Sequence, residues 1–251
     1  MLEIEDVVKS FGALRAVDAV SLQVRSATIT GLIGPNGAGK TTLFNTIAGA
    51  LRPDSGRISL DGRRIDRLRP DQVFHCGLGR TFQIPRPLRS LTVMENLLLV
   101  PAGQVGEKFW NTWFRRGRIR VEESVHREKA REVVDFVGLS HLAGEPAGVL
   151  SGGQQKLLEL ARVLMVDPSI ILLDEPAAGV NPVLLEALVG RIQALHRRGV
   201  TFLLIEHNMD LVMQLCDPVV VMAQGRIVVE GSPQAVRADA RVIDAYLGEA
   251  A

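Results

Sequence analysis

The sequence predicts an α/β fold with a mainly parallel sheet, an added antiparallel β-subdomain and an inserted α-helical subdomain. Two stretches, 29–60 and 150–230, alternate short apolar strands with amphipathic helices, which is typical of a parallel sheet covered on both faces. Residues 2–8 and 20–24 alternate apolar and polar side chains, which indicates half-buried strands of an antiparallel sheet. Between the two α/β stretches, residues 92–99 and 121–138 are helical in pattern.

Composition excludes several classes of protein. The chain has 251 residues, 47% hydrophobic and 23% charged, so it is neither disordered, collagen-like nor a disulfide-stapled miniprotein. Lys and Arg number 29 against 28 Asp and Glu, and this near-neutral balance argues against nucleic acid as a partner. Every apolar run is far shorter than the roughly 20 residues of a membrane helix, so we expect a soluble chain. Cys76 and Cys216 form no CxxC pair and are expected to be free thiols.

Local patterns predict the elements of the first half. The apolar run 29–34 ends in glycines, which predicts a buried strand that leads into a loop. A helix is expected from Lys40, because Leu43 and Ile47 recur at helical spacing on one face. Residues 57–60 then predict a further short strand.

The middle of the chain departs from this alternation. Residues 92–99 predict a helix, whereas 101–120 have poor periodicity and a mixed Gly and basic composition, which indicates an insertion or loop. Residues 121–138 form an amphipathic helical pattern, and Gly138 is a typical helix stop. The alternation then resumes, with helices predicted from 151, over 184–199 and over 208–215, and strands over 169–173, 200–205, 218–223 and 226–230.

The strongest chemical signal is a glycine-rich segment between the first predicted buried strand and its helix. It reads Gly34-Pro35-Asn36-Gly37-Ala38-Gly39-Lys40-Thr41, a full match to GxxxxGK[ST], and Thr42 follows it. The glycines let backbone N–H groups approach phosphate oxygens, and the helix N-terminus favours anions. Lys40 would reach the β- and γ-phosphates and the Thr41 hydroxyl would bind Mg²⁺, so ATP and Mg²⁺ are the expected ligands. The alternative is a glycine-rich turn with a surface lysine, which this strand-to-helix context disfavours.

Two carboxylates end a second predicted strand. Asp174 and Glu175 follow four apolar residues, at the end of the strand where ligands bind in open α/β sheets. Asp174 suits an outer-sphere role at Mg²⁺, and Glu175 suits a general base that polarises an attacking water. Taken alone, the pair is equally well explained as a solvated acidic turn after a strand.

A third motif opens a predicted helix with Ser151-Gly152-Gly153-Gln154. Ser151 and Gln154 have the spacing of a capping box, which explains the serine as a helix cap. It does not explain two consecutive glycines, which lower helix propensity at that position. The glycine pair indicates a second helix start that a phosphate approaches.

Together these motifs resemble those of the nucleotide-binding subunits of ABC transporters. The order GPNGAGKTT, TFQ, LSGGQQ, ILLDEP and EH is similar to that family over essentially the whole chain. The resemblance implies a P-loop NTPase core with the β-subdomain over about 1–83 and 167–251, and a helical subdomain with the signature motif over about 84–166. It also implies ATP hydrolysis coupled to transport across a membrane.

The resemblance assigns further residues to the ATP site. Gln83, in the TFQ segment, would sense Mg²⁺ and the attacking water and couple to the membrane partner. His207 would bond the γ-phosphate, and Phe11 would stack on adenine. Without the resemblance, Gln83 is more simply an ordinary polar residue, His207 a structural histidine and Phe11 a core side chain near a strand end.

The resemblance also implies partners. Two cassettes, identical or paralogous, would pair head to tail, so that Ser151 of one contacts the γ-phosphate held by the other. Permease subunits, and a periplasmic or surface substrate-binding protein, would complete a complex in which the chain lies at the cytoplasmic face of the membrane. The AAGVNP segment, 177–182, is similar to branched-chain amino acid importer ATPases, although some of those carry Tyr where Gly152 stands. Alternatives are urea or amide import, lipid or lipopolysaccharide export, and a non-transport ABC ATPase.

One aromatic and basic cluster stands apart from the ATP site. Trp110 and Trp113, both tryptophans of the chain, lie among five basic residues of the predicted insertion. Such a cluster is typical of a membrane-surface or partner contact. The alternative is an exposed loop whose aromatic side chains pack back onto the helical subdomain.

Overall fold

The computed structural model describes residues 1–81, 85–101 and 116–247, without the side chains of residues 116–118 and 247. The chain divides into two compact units. The core unit comprises 1–83, 168–178 and 192–251, and the helical unit comprises 84–167 and 179–191. The boundaries expected from the sequence placed 179–191 with the core, whereas its contacts lie in the helical unit.

A six-stranded sheet forms the centre of the core unit. Its strands, in spatial order, are β10 (Arg226–Gly231), β9 (Val219–Ala223), β3 (Ile29–Ile33), β8 (Thr201–Ile205), β7 (Ile170–Asp174) and β6 (Leu78–Arg80). Neighbouring strands are parallel except β10 and β9, which form an antiparallel pair at one edge. Every residue of β3, β7 and β8 is buried, which explains their continuous apolar runs. Because β3, β8 and β7 are adjacent and parallel, the segments that follow them meet at one edge.

A second, four-stranded antiparallel sheet completes the core unit. Its strands, in spatial order, are β2 (Leu14–Val24), β1 (Leu2–Phe11), β4 (Ser55–Leu60) and β5 (Arg63–Arg64). The first two form a long hairpin, longer than the alternation at 2–8 and 20–24 predicted. Its inward-facing Leu2, Ile4 and Val7 join one hydrophobic cluster with Phe44 of the first helix and Leu32 of β3. The antiparallel sheet is thereby packed onto the helix that follows the glycine-rich loop.

Nine helices are described in the two units. They are α1 (Lys40–Ile47), α2 (Pro70–His75), α3 (Val93–Leu98), α4 (Arg116–Val137), α5 (Gly152–Leu164), α6 (Pro182–Arg197), α7 (Met209–Leu215), α8 (Pro233–Ala238) and α9 (Ala240–Leu247). In the helical unit, α5 buries Leu157, Leu160, Ala161 and Leu164, the stripe that its spacing predicts. Among the described helices, none combines the length and the apolar character that a membrane crossing requires.

The predicted fold class and most predicted elements are confirmed. One expectation is wrong in part, because residues 116–120 belong to α4 and not to a loop. Residues 102–115, with Trp110 and Trp113, lie outside the described residues, so their proposed partner contact stays a prediction. The short elements β5, β6 and α2 were not predicted, because two to six residues are too few to establish a period.

The two cysteines are free, as expected from their spacing. Cys216 is buried behind β3, and its Sγ lies 3.0 Å from where a Cβ on Gly31 would stand. Burial, followed by the nearby charge of Glu206, raises the pKa of the Cys216 thiol to about 12. The thiol therefore stays protonated at neutral pH and acts as a small apolar side chain.

Candidate functional site

The glycine-rich loop after β3 is fixed by contacts that only glycine permits. Gly34 has φ +148°, and a Cβ there would stand 2.0 Å from the carbonyl oxygen of Met222. Gly39 has φ +97°, and a Cβ would stand 2.0 Å from the carbonyl oxygen of Ala16. Backbone therefore packs directly on backbone at both positions, which explains why the sequence has glycine there.

Lys40 closes this loop from within. Its side chain is buried, and Nζ donates hydrogen bonds to the carbonyl oxygens of Gly34 and Pro35, each at 2.7 Å. A buried ammonium needs such acceptors, and here the loop backbone supplies them. Gly39 stands at the N-cap of α1 and offers no side-chain acceptor, so the first N–H groups of the helix face the loop without a side-chain cap. Such a helix start favours an anion.

The carboxylates predicted after β7 lie at the same sheet edge. Glu175 has φ +48°, and its N–H donates to the carbonyl oxygen of Ile205 at 3.0 Å, which links the ends of β7 and β8. His207 Nε2 lies 3.1 Å from Glu175 Oε1. Asp174 is buried, and Arg80 Nη2 donates to its Oδ2 at 3.3 Å. Residues far apart in sequence thus meet because β7 and β8 are neighbours.

Glu206 holds this arrangement in place, and the sequence analysis gave it no role of its own. It is 3% exposed, and its Oε1 accepts the Ala177 N–H at 2.7 Å. Its Oε2 accepts the N–H groups of His207 and Asn208 at 3.0 and 3.3 Å. One carboxylate therefore fixes both segments that carry Glu175 and His207. An acidic residue directly after a buried strand, the same signal that drew attention to Glu175, marks it in the sequence.

Lys40, Glu175 and His207 border a cavity of about 560 Å³ in the core unit. Its lining comprises Phe11, Leu14, Arg15, Ala16, Asn36, Gly37, Ala38, Gly39, Lys40, Thr41, Thr42, Glu175, His207, Gln224 and Gly225. The cavity is within the size range of small-molecule sites. Phe11 is 50% exposed, so its interpretation as a core side chain is wrong. Gln83 lies outside the described residues, and its predicted role stays a prediction.

An ion-pair network borders the cavity beside Arg15. The Asp18 carboxylate accepts hydrogen bonds from Arg226 at 2.6 Å and from Arg15 at 3.1 Å, and these hold the pKa of Asp18 below its usual range. The backbone of Gly225 accepts the Asp18 N–H and donates to the carbonyl oxygen of Ala38. The hairpin and the glycine-rich loop are thereby connected through Gly225.

The signature segment belongs to the helical unit. Ser151 caps α5, since its Oγ accepts the Gln154 N–H at 3.4 Å and Gln154 Oε1 accepts the Ser151 N–H at 2.9 Å. The capping-box explanation of Ser151 is therefore confirmed as local structure. A Cβ on Gly153 would stand 2.6 Å from Leu184 Cδ1, whereas one on Gly152 would meet no atom of the described residues within 4 Å. Packing explains Gly153 and leaves Gly152 without a local reason.

Comparison with known protein families shows the family to which this chain belongs. A sequence model described as ABC transporter matches residues 17–178, more than half of the chain. The chain belongs to the ABC transporter family. A second model, described as Branched-chain amino acid ATP-binding cassette transporter, matches residues 226–251.

Relatives of this ABC cassette agree over nearly its whole length. LivG of Archaeoglobus fulgidus, a probable branched-chain amino acid transport ATP-binding protein, is 41% identical over 248 residues, 99% of this chain and 95% of the relative. A nucleotide-free ATP-binding cassette from an ABC transporter is 41% identical, with a TM-score of 0.84 and 97% of each chain covered. A second ATP-binding cassette of an ABC transporter, solved in its ADP conformation, is 38% identical, with a TM-score of 0.82. The match covers 99% of this chain and 98% of that one. The chain is thus the ATP-driven motor subunit of a transporter.

Proposed function

We propose that this ABC cassette hydrolyses ATP at the cavity of the core unit to energise import of branched-chain or other hydrophobic amino acids. The observation that carries the ATP site is the convergence of Lys40, Glu175 and His207, which follow three adjacent parallel strands, on one cavity. The cargo rests on the branched-chain amino acid model at residues 226–251 and on the similarity to LivG.

Lys40 and the start of α1 would bind the phosphates. The ammonium already lies among backbone acceptors of the loop, and a bound phosphate offers it oxygens of higher charge. N–H groups of the loop over Asn36 to Gly39 would add neutral donors. Phe11, also in the lining, presents an exposed ring that suits stacking on adenine.

The residues present fit Mg²⁺. Thr41 offers a hydroxyl in the first turn of α1, and Asp174 offers a buried carboxylate at the end of β7. Within the described part of the chain, no three His, Cys, Asp or Glu side chains are grouped to hold a metal. Mg²⁺ binds through one or two protein oxygens together with substrate phosphates and waters, and the Thr41 hydroxyl and the Asp174 carboxylate are donors of that kind. When bound, it would neutralise charge on the β- and γ-phosphates. Gln83 is the third proposed ligand.

Glu175 would act as the general base. Its carboxylate borders the cavity and is held by the contact with His207 Nε2 at 3.1 Å. A carboxylate so oriented accepts a proton from the attacking water as the new P–O bond forms and the bond to ADP breaks. His207 then donates a hydrogen bond to the γ-phosphate oxygens or to Glu175, and so stabilises the developing charge.

We further propose that two cassettes pair head to tail, each offering Ser151 and its helix start to the phosphates held by the other. Support comes from Gly152, whose missing side chain the helical unit does not explain, whereas an approaching phosphate does. Dimer closure on ATP is then a ligand-driven shift of population that can move permease subunits.

The substitution Gly152→Asp tests this pairing. An aspartate there has room in the helical unit and would place a negative charge against the partner's nucleotide. We expect ATP binding to the monomer and the thermal midpoint to stay unchanged, while ATPase activity falls at least about tenfold. Gly153→Ala is the matched control, because its Cβ collides with Leu184 and should cost about 1 kcal/mol of stability or more. Full activity in Gly152→Asp would exclude the pairing.

Cargo and complex are tested by reconstitution. We propose permease subunits and a substrate-binding protein as partners, with the cassette peripheral at the cytoplasmic face. The cassette, co-purified with permeases encoded beside it and reconstituted in proteoliposomes, should drive ATP-dependent uptake of radiolabelled leucine. If the proteoliposomes take up only urea or amides, or move lipid, the proposal that amino acids are the cargo is wrong. The Trp110 and Trp113 cluster stays a prediction of permease contact.

A further inference from the structure

One partly buried arginine connects the elements that carry the proposed Mg²⁺ ligands. Arg80 is the last residue of β6, and its side chain is 12% exposed. Its Nη1 donates to Asn45 Oδ1 at 2.7 Å, and its Nη2 donates to Asp174 Oδ2 at 3.3 Å. A single guanidinium thus joins three elements of the core unit: β6, α1 and β7.

Strand pairing fixes the backbone that carries this guanidinium. Arg80 pairs with Leu172 in the parallel ladder of β6 and β7, and the N–H of Thr81 donates to the carbonyl oxygen of Leu172 at 3.0 Å. The Asp174 carboxylate is equally confined, since it is 4% exposed at the end of a buried strand. Both ends of the ion pair are therefore set by one pair of neighbouring strands.

The contact to Asn45 adds the helix that follows the glycine-rich loop. Asn45 lies on α1, one helical turn after Thr41, and α1 also begins with Lys40. The fork of the guanidinium therefore holds α1 at a fixed position relative to Asp174. A carboxylate that binds a metal is commonly held by a hydrogen bond to one oxygen, which sets the direction of the other, and the Arg80 Nη2 contact to Asp174 Oδ2 is of that kind.

We propose that Arg80 is a positioning residue that orients the Asp174 carboxylate toward the Mg²⁺ of bound ATP and fixes its distance from Thr41. The inference rests on the proposed function, because it takes from there the roles of Asp174 and Thr41. Neither the general-base role of Glu175 nor the binding of phosphate by Lys40 depends on it.

The geometry requires arginine and not simply a positive charge. The two contacts use two separate N–H groups of one planar fork, and a single lysine ammonium cannot occupy both positions. Arg80→Lys therefore keeps the charge beside Asp174 and loses the connection to Asn45. Arg80→Met keeps the apolar length and loses both contacts. We therefore expect Arg80→Met to weaken Mg²⁺ binding more than Arg80→Lys does.

The experiment separates metal binding from nucleotide binding. A fluorescent ADP analogue is titrated with each variant in EDTA, and its complex is then titrated with Mg²⁺. For Arg80→Met we expect affinity in EDTA within about twofold of the unsubstituted protein, and a half-saturating Mg²⁺ concentration raised about ten- to hundredfold. Arg80→Lys should show a smaller rise. Steady-state ATPase activity should recover at high Mg²⁺ in both variants.

Arg64 offers a matched control in the same unit. Arg64 Nε donates to the buried Asp66 carboxylate at 2.8 Å, and Arg64 is not part of the lining of the ATP cavity. Arg64→Met therefore also removes an arginine from a buried carboxylate, with no expected change in Mg²⁺ dependence. If Arg64→Met and Arg80→Met both lower the thermal midpoint, and the Mg²⁺ titration is unchanged in Arg80→Met and Arg80→Lys, Arg80 has a structural role only.

Two further outcomes have separate meanings. A loss of affinity in EDTA as large as the loss in Mg²⁺ would overturn the inference, because Arg80 would then support the phosphate loop rather than Asp174. If the unsubstituted protein shows no Mg²⁺-dependent ATPase activity, the proposed function itself fails. If it shows that activity and Arg80→Met shares its Mg²⁺ dependence, only the role of Arg80 fails.

Discussion

Glu175→Gln should abolish turnover and trap ATP: we expect the ATPase rate to fall about 10³-fold while ATP affinity is kept. Glutamine has the shape of glutamate and can keep a hydrogen bond to His207, whose Nε2 lies 3.1 Å from the carboxylate. It cannot take a proton from water. The rate is measured under steady-state conditions with a phosphate-release assay, and affinity by calorimetry.

The same variant should accumulate an ATP-bound dimer, because in the proposed mechanism closure precedes hydrolysis and the closed state cannot then decay. Light scattering after size exclusion should show a mass twice that of the monomer with ATP and Mg²⁺, and the monomer alone with ADP. Glu186→Gln is the control, since Glu186 is exposed on α6. A Glu175→Gln protein that stays monomeric with ATP would refute the head-to-tail model, and one that keeps full turnover would refute Glu175 as the base.

Local sequence predicted the loop at Lys40 well, because its geometry is set within eight residues. Gly34 and Gly39 occupy positions with positive φ and direct backbone contact, so the residue types themselves report the conformation. Lys40 finds two of its acceptors, the carbonyl oxygens of Gly34 and Pro35, within the same loop. The motif, the strand before it and the helix after it all indicate the same structure.

The meeting of Glu175 and His207 depends on strand order, which no local pattern contains. Hydrophobic runs predict β7 and β8 as buried strands, but periodicity does not say that they are neighbours or parallel. The pairing of their ends was supplied only by the family resemblance. Glu206 was overlooked for the same reason, since its three backbone partners lie on two segments that converge only in the fold.

The sequence did not predict the contacts of Arg80 or the place of segment 179–191, because both depend on residues distant in sequence. Arg80 ends a strand of three residues at the edge of the sheet, and its partners stand 35 positions before it and 94 after it. Nothing near Arg80 in the sequence indicates these contacts. The segment 179–191 reads as α/β core in pattern, yet its contacts belong to the helical unit, where Leu184 packs against the position of Gly153. Contacts formed in the fold, not periodicity, decide that assignment.

Lys40→Met should cost most of the ATP affinity. Two charge-assisted hydrogen bonds to phosphate oxygens contribute about 1.5 kcal/mol or more each, so their loss amounts to about 3–4 kcal/mol. This corresponds to a roughly 10²- to 10³-fold increase in the dissociation constant, measured by calorimetry with ATP and Mg²⁺. Lys129→Met is the control, because Lys129 is paired with Asp167 in the helical unit. It should bind ATP as the unsubstituted protein does.

Stability distinguishes the two roles that the structure gives Lys40. The ammonium also holds the carbonyl oxygens of Gly34 and Pro35, so Lys40→Met should lower the free energy of unfolding by about 1–3 kcal/mol without nucleotide. If the variant keeps its stability and its ATP affinity, Lys40 neither orders the loop nor binds phosphate. If it loses stability alone, the lysine is a structural clamp of the loop, and the phosphates are bound by the N–H groups at the start of α1. Loss of both is the expected result, because the Nζ that orders the loop belongs to the first residue of α1 and lies within the proposed phosphate-binding loop.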